Sequence, residues 1–367
     1  MDKVLQTGLS AGMAATAGFH HVKPKPVDKF YSGKNVQPPS FEPNTRTRVS
    51  YKTVGEPVEA SQICIGAWPW GDKATWNWKE EDLPAAKQAW DYLYQAGINF
   101  IDTAEAYGDG RSEEIVGQFV RDLPRESFVI QTKYIGTAAG INNYIHPVEA
   151  PVKSLKGSLG RLGLEYVDIY LVHGPIHPQS IANVAKGMAE CVEKRLTRAV
   201  GVANYEPRDV EKIQAELRKY KIPLASNQCE YNILRRYPEL HDGIATCERN
   251  GLVFQSYSSL AQGRLTGKYS PGNPPPKSYR FSNYDMKDVE PVLQVLQRIS
   301  VERGKSVGAV ALNWNISKGV TPLVGVRNKD QAVEAVEALG WRLSSDEMAE
   351  IDDVSFEGEK TRLWQQG

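Results

Sequence analysis

The chain has 367 residues, 41% of them apolar, enough to bury the core of one large barrel or of two average domains. Its 44 basic side chains balance 44 acidic ones, so no net charge steers it toward nucleic acid or an anionic membrane, and a charge-driven partner is excluded. No run reaches the roughly 18 apolar residues that a spanning helix needs.

In chain order, residues 1–45 are rich first in small residues and then in Pro, Lys and Asn. This stretch reads equally as an organelle-targeting leader or as a plain extension, which leaves the cytoplasm or an organelle as the location. Residues 46–367 read as one unit. Apolar, β-rich runs predict strands at 62–68, 98–104, 128–134, 167–173, 199–204, 224–231, 252–259 and 320–326. Amphipathic segments predict helices at 82–96, 112–121, 148–162, 179–195, 206–219, 237–250, 289–304 and 329–339.

Strict alternation of eight strands with eight helices predicts an α/β chain, a (β/α)8 TIM barrel behind its N-terminal extension. An open doubly wound sheet that binds a nucleotide would want a GxGxxG turn after its first strand, and none is present. Cys64, Cys191, Cys229 and Cys247 form no CxxC pair and read as core thiols. His173 and His177 are separated by Gly174-Pro175 and cannot share a helix face, so no metal site is expected.

Barrel chemistry sits at the carboxyl ends of the strands. Three consecutive predicted strand ends carry Asp102, Lys133 and His173, and Tyr107 follows in the loop after Asp102. A phenol with a free pKa of about 10 is a weak acid at neutral pH, and a neighbouring ammonium stabilises its phenolate. Lys133 is therefore expected to lower the value of Tyr107, with Asp102 aligning Lys133 and His173 bonding a substrate oxygen.

The segments "FIDTAEAYGDGRSEE", "VIQTKY", "VDIYLVHGP", "VGVANY" and "SNQCEYNIL" resemble successive signatures of the aldo-keto reductases, over about residues 50–353. The potassium-channel β-subunit, pyridoxal reductase and plastid-type branch is nearer in style than the aldose reductase branch. The resemblance implies a (β/α)8 barrel that binds NADPH without a Rossmann turn. It implies a catalytic tetrad of Asp102, Tyr107, Lys133 and His173, with Tyr107 as proton donor. It further implies that Asn204 and Gln228 hold the nicotinamide carboxamide and that Tyr257 stacks on the ring. Ser258, Leu260, Gly263, Lys268 and Arg280 would follow the pyrophosphate, and Gly325, Arg327, Gln331 and Glu334 the adenosine end. Arg327 lies between an apolar strand and the next helix, where its guanidinium and free helix N–H groups would favour the extra phosphate of NADPH over NADH.

The expected activity is NADPH-dependent reduction of an aldehyde or ketone to an alcohol. The alternative is a nucleotide-binding, redox-sensing regulatory subunit with little turnover. The loop "AWPWGDKATWNWKEE" carries Trp68, Trp70, Trp76 and Trp78. They read either as an aromatic-walled substrate pocket, with Trp68 and Trp70 as its members, or as loop anchors on the barrel rim. The partner expected is a small carbonyl compound; a monomer is favoured, with oligomeric state open.

Overall fold

A computed structural model describes residues 48–136, 142–276, 284–361 and 364–367. It opens with an antiparallel hairpin, β1 (Arg48–Tyr51) and β2 (Val58–Ser61). Parallel strands then close on themselves: β3 (Cys64–Gly66), β4 (Phe100–Asp102), β5 (Val129–Tyr134), β6 (Val167–Val172), β7 (Thr197–Ala203), β8 (Leu224–Glu230), β9 (Val253–Tyr257) and β10 (Thr321–Gly325). The last of these pairs back onto β3 to complete the barrel. Each lies inside the run that predicted it except β7, which starts two residues earlier, at Thr197 rather than 199.

The helices pack outside. They are α1 (Leu83–Gln95), α2 (Arg111–Val120), α3 (Glu149–Leu162), α4 (Ile181–Glu193), α5 (Pro207–Arg218), α6 (Gly243–Asn250), α7 (Met286–Arg303), α8 (Val307–Ser317), α9 (Lys329–Glu337) and α10 (Ser345–Asp353). The predicted helix over 237–250 is in fact two, a single turn at Tyr237–Leu240 and α6, because Asp242 turns into the left-handed region at φ 66. Ser344 and Glu347 form a reciprocal capping box that starts α10. Among the described residues, no helix is long and apolar enough to cross a membrane.

The inside of the barrel is layered. At the amino-terminal end, the hairpin inserts Tyr51, Val58 and Ala60 against Phe100, Val129 and Ile169, sealing the bottom with apolar surface. The middle layer is polar, with Gln131, Gln228 and Gln255 all buried. The top layer carries the charged and aromatic side chains of the site. All four cysteines are buried free thiols.

Tight packing between helices leaves a mark at Gly117. A Cβ there would meet the carbonyl oxygen of Leu162 at 2.4 Å, so α2 lies almost backbone to backbone on the end of α3. Helix propensity alone would make Ala better than Gly at this position by roughly 1 kcal/mol. Overpacking wins, and Gly117→Ala should destabilise the fold by about 1–3 kcal/mol, read as a lower denaturation midpoint with unchanged m-value.

Candidate active site

The strand ends place the reacting groups. Asp102 is the last residue of β4, Lys133 lies near the end of β5, and His173 follows β6 directly. Tyr107 is brought in by a turn in which Gly108, Asp109 and Gly110 all have positive φ. Gly108 approaches so close to Gly71 that an added Cβ would sit 2.5 Å from its carbonyl oxygen, so glycine is required there.

The Lys133 side chain is fully buried, and its Nζ donates to Asp102 Oδ2 at 2.6 Å, to the Thr103 carbonyl at 2.9 Å and to Tyr107 Oη at 3.0 Å. All three ammonium protons are thus assigned. His173 meets Tyr107 edge-on with ring centroids 5.5 Å apart, and its buried Nδ1 has no hydrogen-bond partner.

The electrostatics depart from the expectation for the phenol. Burial pushes the Tyr107 pKa well above its ordinary value, and the charge of Asp102 adds to the rise. Lys133 is close, but desolvation of the phenolate outweighs it, so the phenol is held protonated rather than primed to ionise. Burial also lowers the Lys133 ammonium from its usual value, opposed by Asp102. Burial and then the Lys133 charge hold His173 neutral, well below the usual imidazole range.

Above these residues lies a cavity of about 680 Å³ that stretches from Trp68, Trp76, Tyr107, His173 and Trp364 to Lys268, Arg327 and Gln331. Asn204, Gln228, Tyr257, Ser258, Leu260, Gly263, Gly325 and Glu334 also line it. Arg280 lies outside the described residues. Asn204 donates to the His173 carbonyl at 3.3 Å and accepts from Tyr257 Oη at 2.9 Å. Gln228 donates to Asp102 Oδ1 at 3.1 Å and to Gln255 at 3.0 Å, leaving its own Oε1 as the acceptor available to a ligand amide. Beyond Tyr257 the backbone turns through positive φ at Ser258, Ala261, Gln262 and Gly263, presenting main-chain groups to the cavity.

At the far end, Arg327 N–H donates to Gln331 Oε1 at 2.8 Å, and Asn328 caps α9. The Arg327 guanidinium pairs with Asp82 at 3.2 Å. The Glu334 carboxylate accepts from Gly308 N–H at 3.2 Å and so caps the start of α8 while lining the cavity. An elongated cleft with amide acceptors at one end, a turned backbone in the middle and Lys268 and Arg327 at the other fits a dinucleotide phosphate.

The tryptophans divide. Trp68 stacks on Tyr107 with centroids 5.7 Å apart and an interplanar angle of 23°, and its Nε1 donates to Asp72 Oδ2 at 2.6 Å. Trp76 meets Trp68 edge-on at 5.7 Å. Trp70 was expected in the pocket and is instead fully buried, its Nε1 donating to the Val326 carbonyl at 2.6 Å and its ring against Phe119. It pins the loop, and Trp76 takes the place assigned to it. Trp364 was missed altogether; it comes from the far end of the chain to lie 5.5 Å from the His173 ring, and nothing local in the sequence ties it to the mouth.

Comparisons with known proteins agree with this geometry. Residues 62–355 match the model of the aldo/keto reductase family. A chloroplastic pyridoxal reductase of Arabidopsis thaliana is 30% identical over 321 residues, 84% of this chain and 86% of that protein. A glycerol dehydrogenase from Gluconobacter oxydans superposes with TM-score 0.71 at 26% identity, covering 83% of this chain and 94% of that one. An aldo-keto reductase from Klebsiella pneumoniae solved with NADPH gives TM-score 0.66 at 25% identity, covering 86% and 99%.

The neutral state of His173 carries a pH signature. Burial holds its folded pKa well below the ordinary imidazole value of about 6.5, so below that pH the unfolded chain takes up a proton that the native state refuses. Stability should therefore fall on acidification by about 1.4 kcal/mol per pH unit per such group. His177, also lowered chiefly by burial, adds a share. His173→Gln should remove its own share of this slope in denaturant unfolding measured from pH 7 to pH 5, leaving that of His177.

Proposed function

The chain belongs to the aldo/keto reductase family and is an NADPH-dependent reductase of aldehydes or ketones; from that premise we propose that Tyr107 is its proton donor and that its substrate is a flat, largely apolar aldehyde. The observation that supports the first part is a single ammonium, Lys133, bonded at once to Asp102 and to Tyr107 at the floor of an aromatic-walled cavity.

NADPH, when bound, supplies the hydride that adds to the carbonyl carbon. Gln228 and Asn204 would hold its carboxamide end, Tyr257 would offer a ring face, and the turned segment from Ser258 to Gly263 with Lys268 would follow the phosphates. Arg327 and Gln331 would take the adenosine end. As negative charge grows on the carbonyl oxygen, Tyr107 gives that oxygen its proton, completing the alcohol. The phenolate left behind faces the Lys133 ammonium, which Asp102 keeps in place. His173, neutral, orients the oxygen by a hydrogen bond. Excluding water around these groups strengthens every one of these interactions.

The substrate reading rests on Trp68, Trp76 and Trp364 around the mouth. Flat rings give broad contact at little entropic cost and suit a planar partner. Pyridoxal, the compound for which the Arabidopsis relative is named, has this form: a pyridine ring bearing an aldehyde.

Tyr107→Phe should lower kcat for pyridoxal reduction by about 10²–10⁴-fold while NADPH still quenches protein fluorescence with unchanged affinity. Retained turnover in that variant would overturn the assignment. Trp76→Ala should raise KM for pyridoxal by about 3–10-fold and leave KM for a short aliphatic aldehyde nearly unchanged. Arg327→Met should weaken NADPH binding by about tenfold or more without changing the dissociation constant of NADH, whereas equal loss for both nucleotides would contradict the placing of Arg327.

A further inference from the structure

The middle layer of this barrel is not the packed apolar layer that the fold ordinarily places there. Gln131 from β5 and Gln255 from β9 face each other across the barrel. Gln131 Nε2 donates to Gln255 Oε1 at 2.9 Å, and Gln255 Nε2 returns a bond to Gln131 Oε1 at 3.0 Å. Gln255 also donates to Tyr51 Oη at 3.0 Å, in the hairpin that seals the bottom. Gln131 Nε2 then donates upward to Asp102 Oδ1 at 2.6 Å. Both amides are fully buried.

The direction of these bonds is forced. An ionised carboxylate only accepts, so Gln131 must turn its NH₂ toward Asp102, and the pairing then fixes Gln255. A buried polar layer that is only partly satisfied is worse than an apolar one. This layer is satisfied, and its uppermost bond ends on a residue of the tetrad.

We propose that Gln131, braced across the barrel by Gln255, is a positioning residue for carbonyl reduction: it holds the Asp102 carboxylate aimed, so that Asp102 keeps Lys133 in place beside Tyr107. This deepens the proposed function and rests on its assignment of the tetrad. Asp102 Oδ2 is committed to Lys133, and the 2.6 Å bond from Gln131 to Oδ1 fixes the rotation of the carboxylate. Without it, Oδ1 keeps only the longer bond from Gln228, and the carboxylate is free to turn away from Lys133. The titratable groups that face the pair are Tyr107, Cys64, Tyr51, His173 and Glu113. Gln228 holds Oδ1 more loosely and from the cofactor side.

The test uses the full chain with NADPH and the best aldehyde found, measured alongside Tyr107→Phe. The double variant Gln131→Met/Gln255→Leu removes both amides of the brace, so neither is orphaned by loss of the other, while Gln228 loses its bond to Gln255 and keeps that to Asp102. Its kcat should fall at least about tenfold, by far more than any loss of NADPH affinity, with KM for the aldehyde within twofold of wild type. An unchanged kcat, or a kcat loss matched by lost NADPH affinity, overturns the proposal. Gln131→Glu keeps the shape and donates to Asp102 only when protonated, so its kcat should approach wild type at low pH and drop as pH rises; a profile parallel to wild type refutes the positioning role even if the double variant does not fold. Should Tyr107→Phe retain turnover, the tetrad reading fails instead, independently of what the glutamine variants do.

Discussion

The constraint on which the site depends is an ion pair with no water around it. Lys133 and Asp102 are both essentially inaccessible and 2.6 Å apart. Removing such charges from water costs several kcal/mol each, and a pair of well-packed apolar side chains would leave the barrel about as stable. The pair is therefore a stability concession whose benefit lies in what it does to Tyr107. It also dictates its surroundings: Thr103 must turn its carbonyl to the ammonium, Gln131 and Gln228 must turn N–H groups to the free carboxylate oxygen, and the strands that carry them must keep their register.

The second demand is on the loops. Among the described residues, four of the nine non-glycine positions with positive φ, Asn204, Ser258, Ala261 and Gln262, lie at or beside the cavity. Left-handed conformations cost such residues of order 1–3 kcal/mol each and persist only where neighbours hold them. Asn204 shows how they are held. Its backbone N–H donates to the Gln228 carbonyl at 2.8 Å while its side chain spans the His173 carbonyl and the Tyr257 hydroxyl, tying four strand ends together. Ala261 is held in a similar way, its N–H donating to the Ser258 carbonyl at 2.7 Å.

How much of this was legible in the sequence depends on whether the signal was local. The eight barrel strands were, since strands buried on both faces read as apolar runs. That Asp102, Tyr107, Lys133 and His173 meet, with Asn204, Gln228 and Tyr257 on the same cavity, was legible because each sits at a strand end or in the loop just beyond it. Helix α8 was not delimited, since burial on every side leaves it apolar all round and erases the 3.6-residue period. The hairpin of β1 and β2 is too short and too polar on its outer face to stand out. Trp70 and Trp76 are indistinguishable by composition, and only packing against Phe119 shows which one anchors. Gln131 and Gln255 read as polar interruptions in two strands; that they meet across the barrel follows from closure, which no single segment encodes.

The phenol is where sequence-level chemistry and structure disagree most usefully. A lysine beside a tyrosine suggests an acidified phenol, yet burial raises Tyr107 well above its ordinary value even with the ammonium 3.0 Å away. For reduction this is no handicap. The proton is wanted on the oxygen of Tyr107 until negative charge appears on the substrate, and a donor whose proton is secure at neutral pH does not lose it to solvent first. Lys133 then acts late, stabilising a phenolate that exists only as the alcohol forms, which is differential stabilisation of the transition state rather than of the resting enzyme. Alcohol oxidation on the same groups would have to start from that phenolate, which burial disfavours.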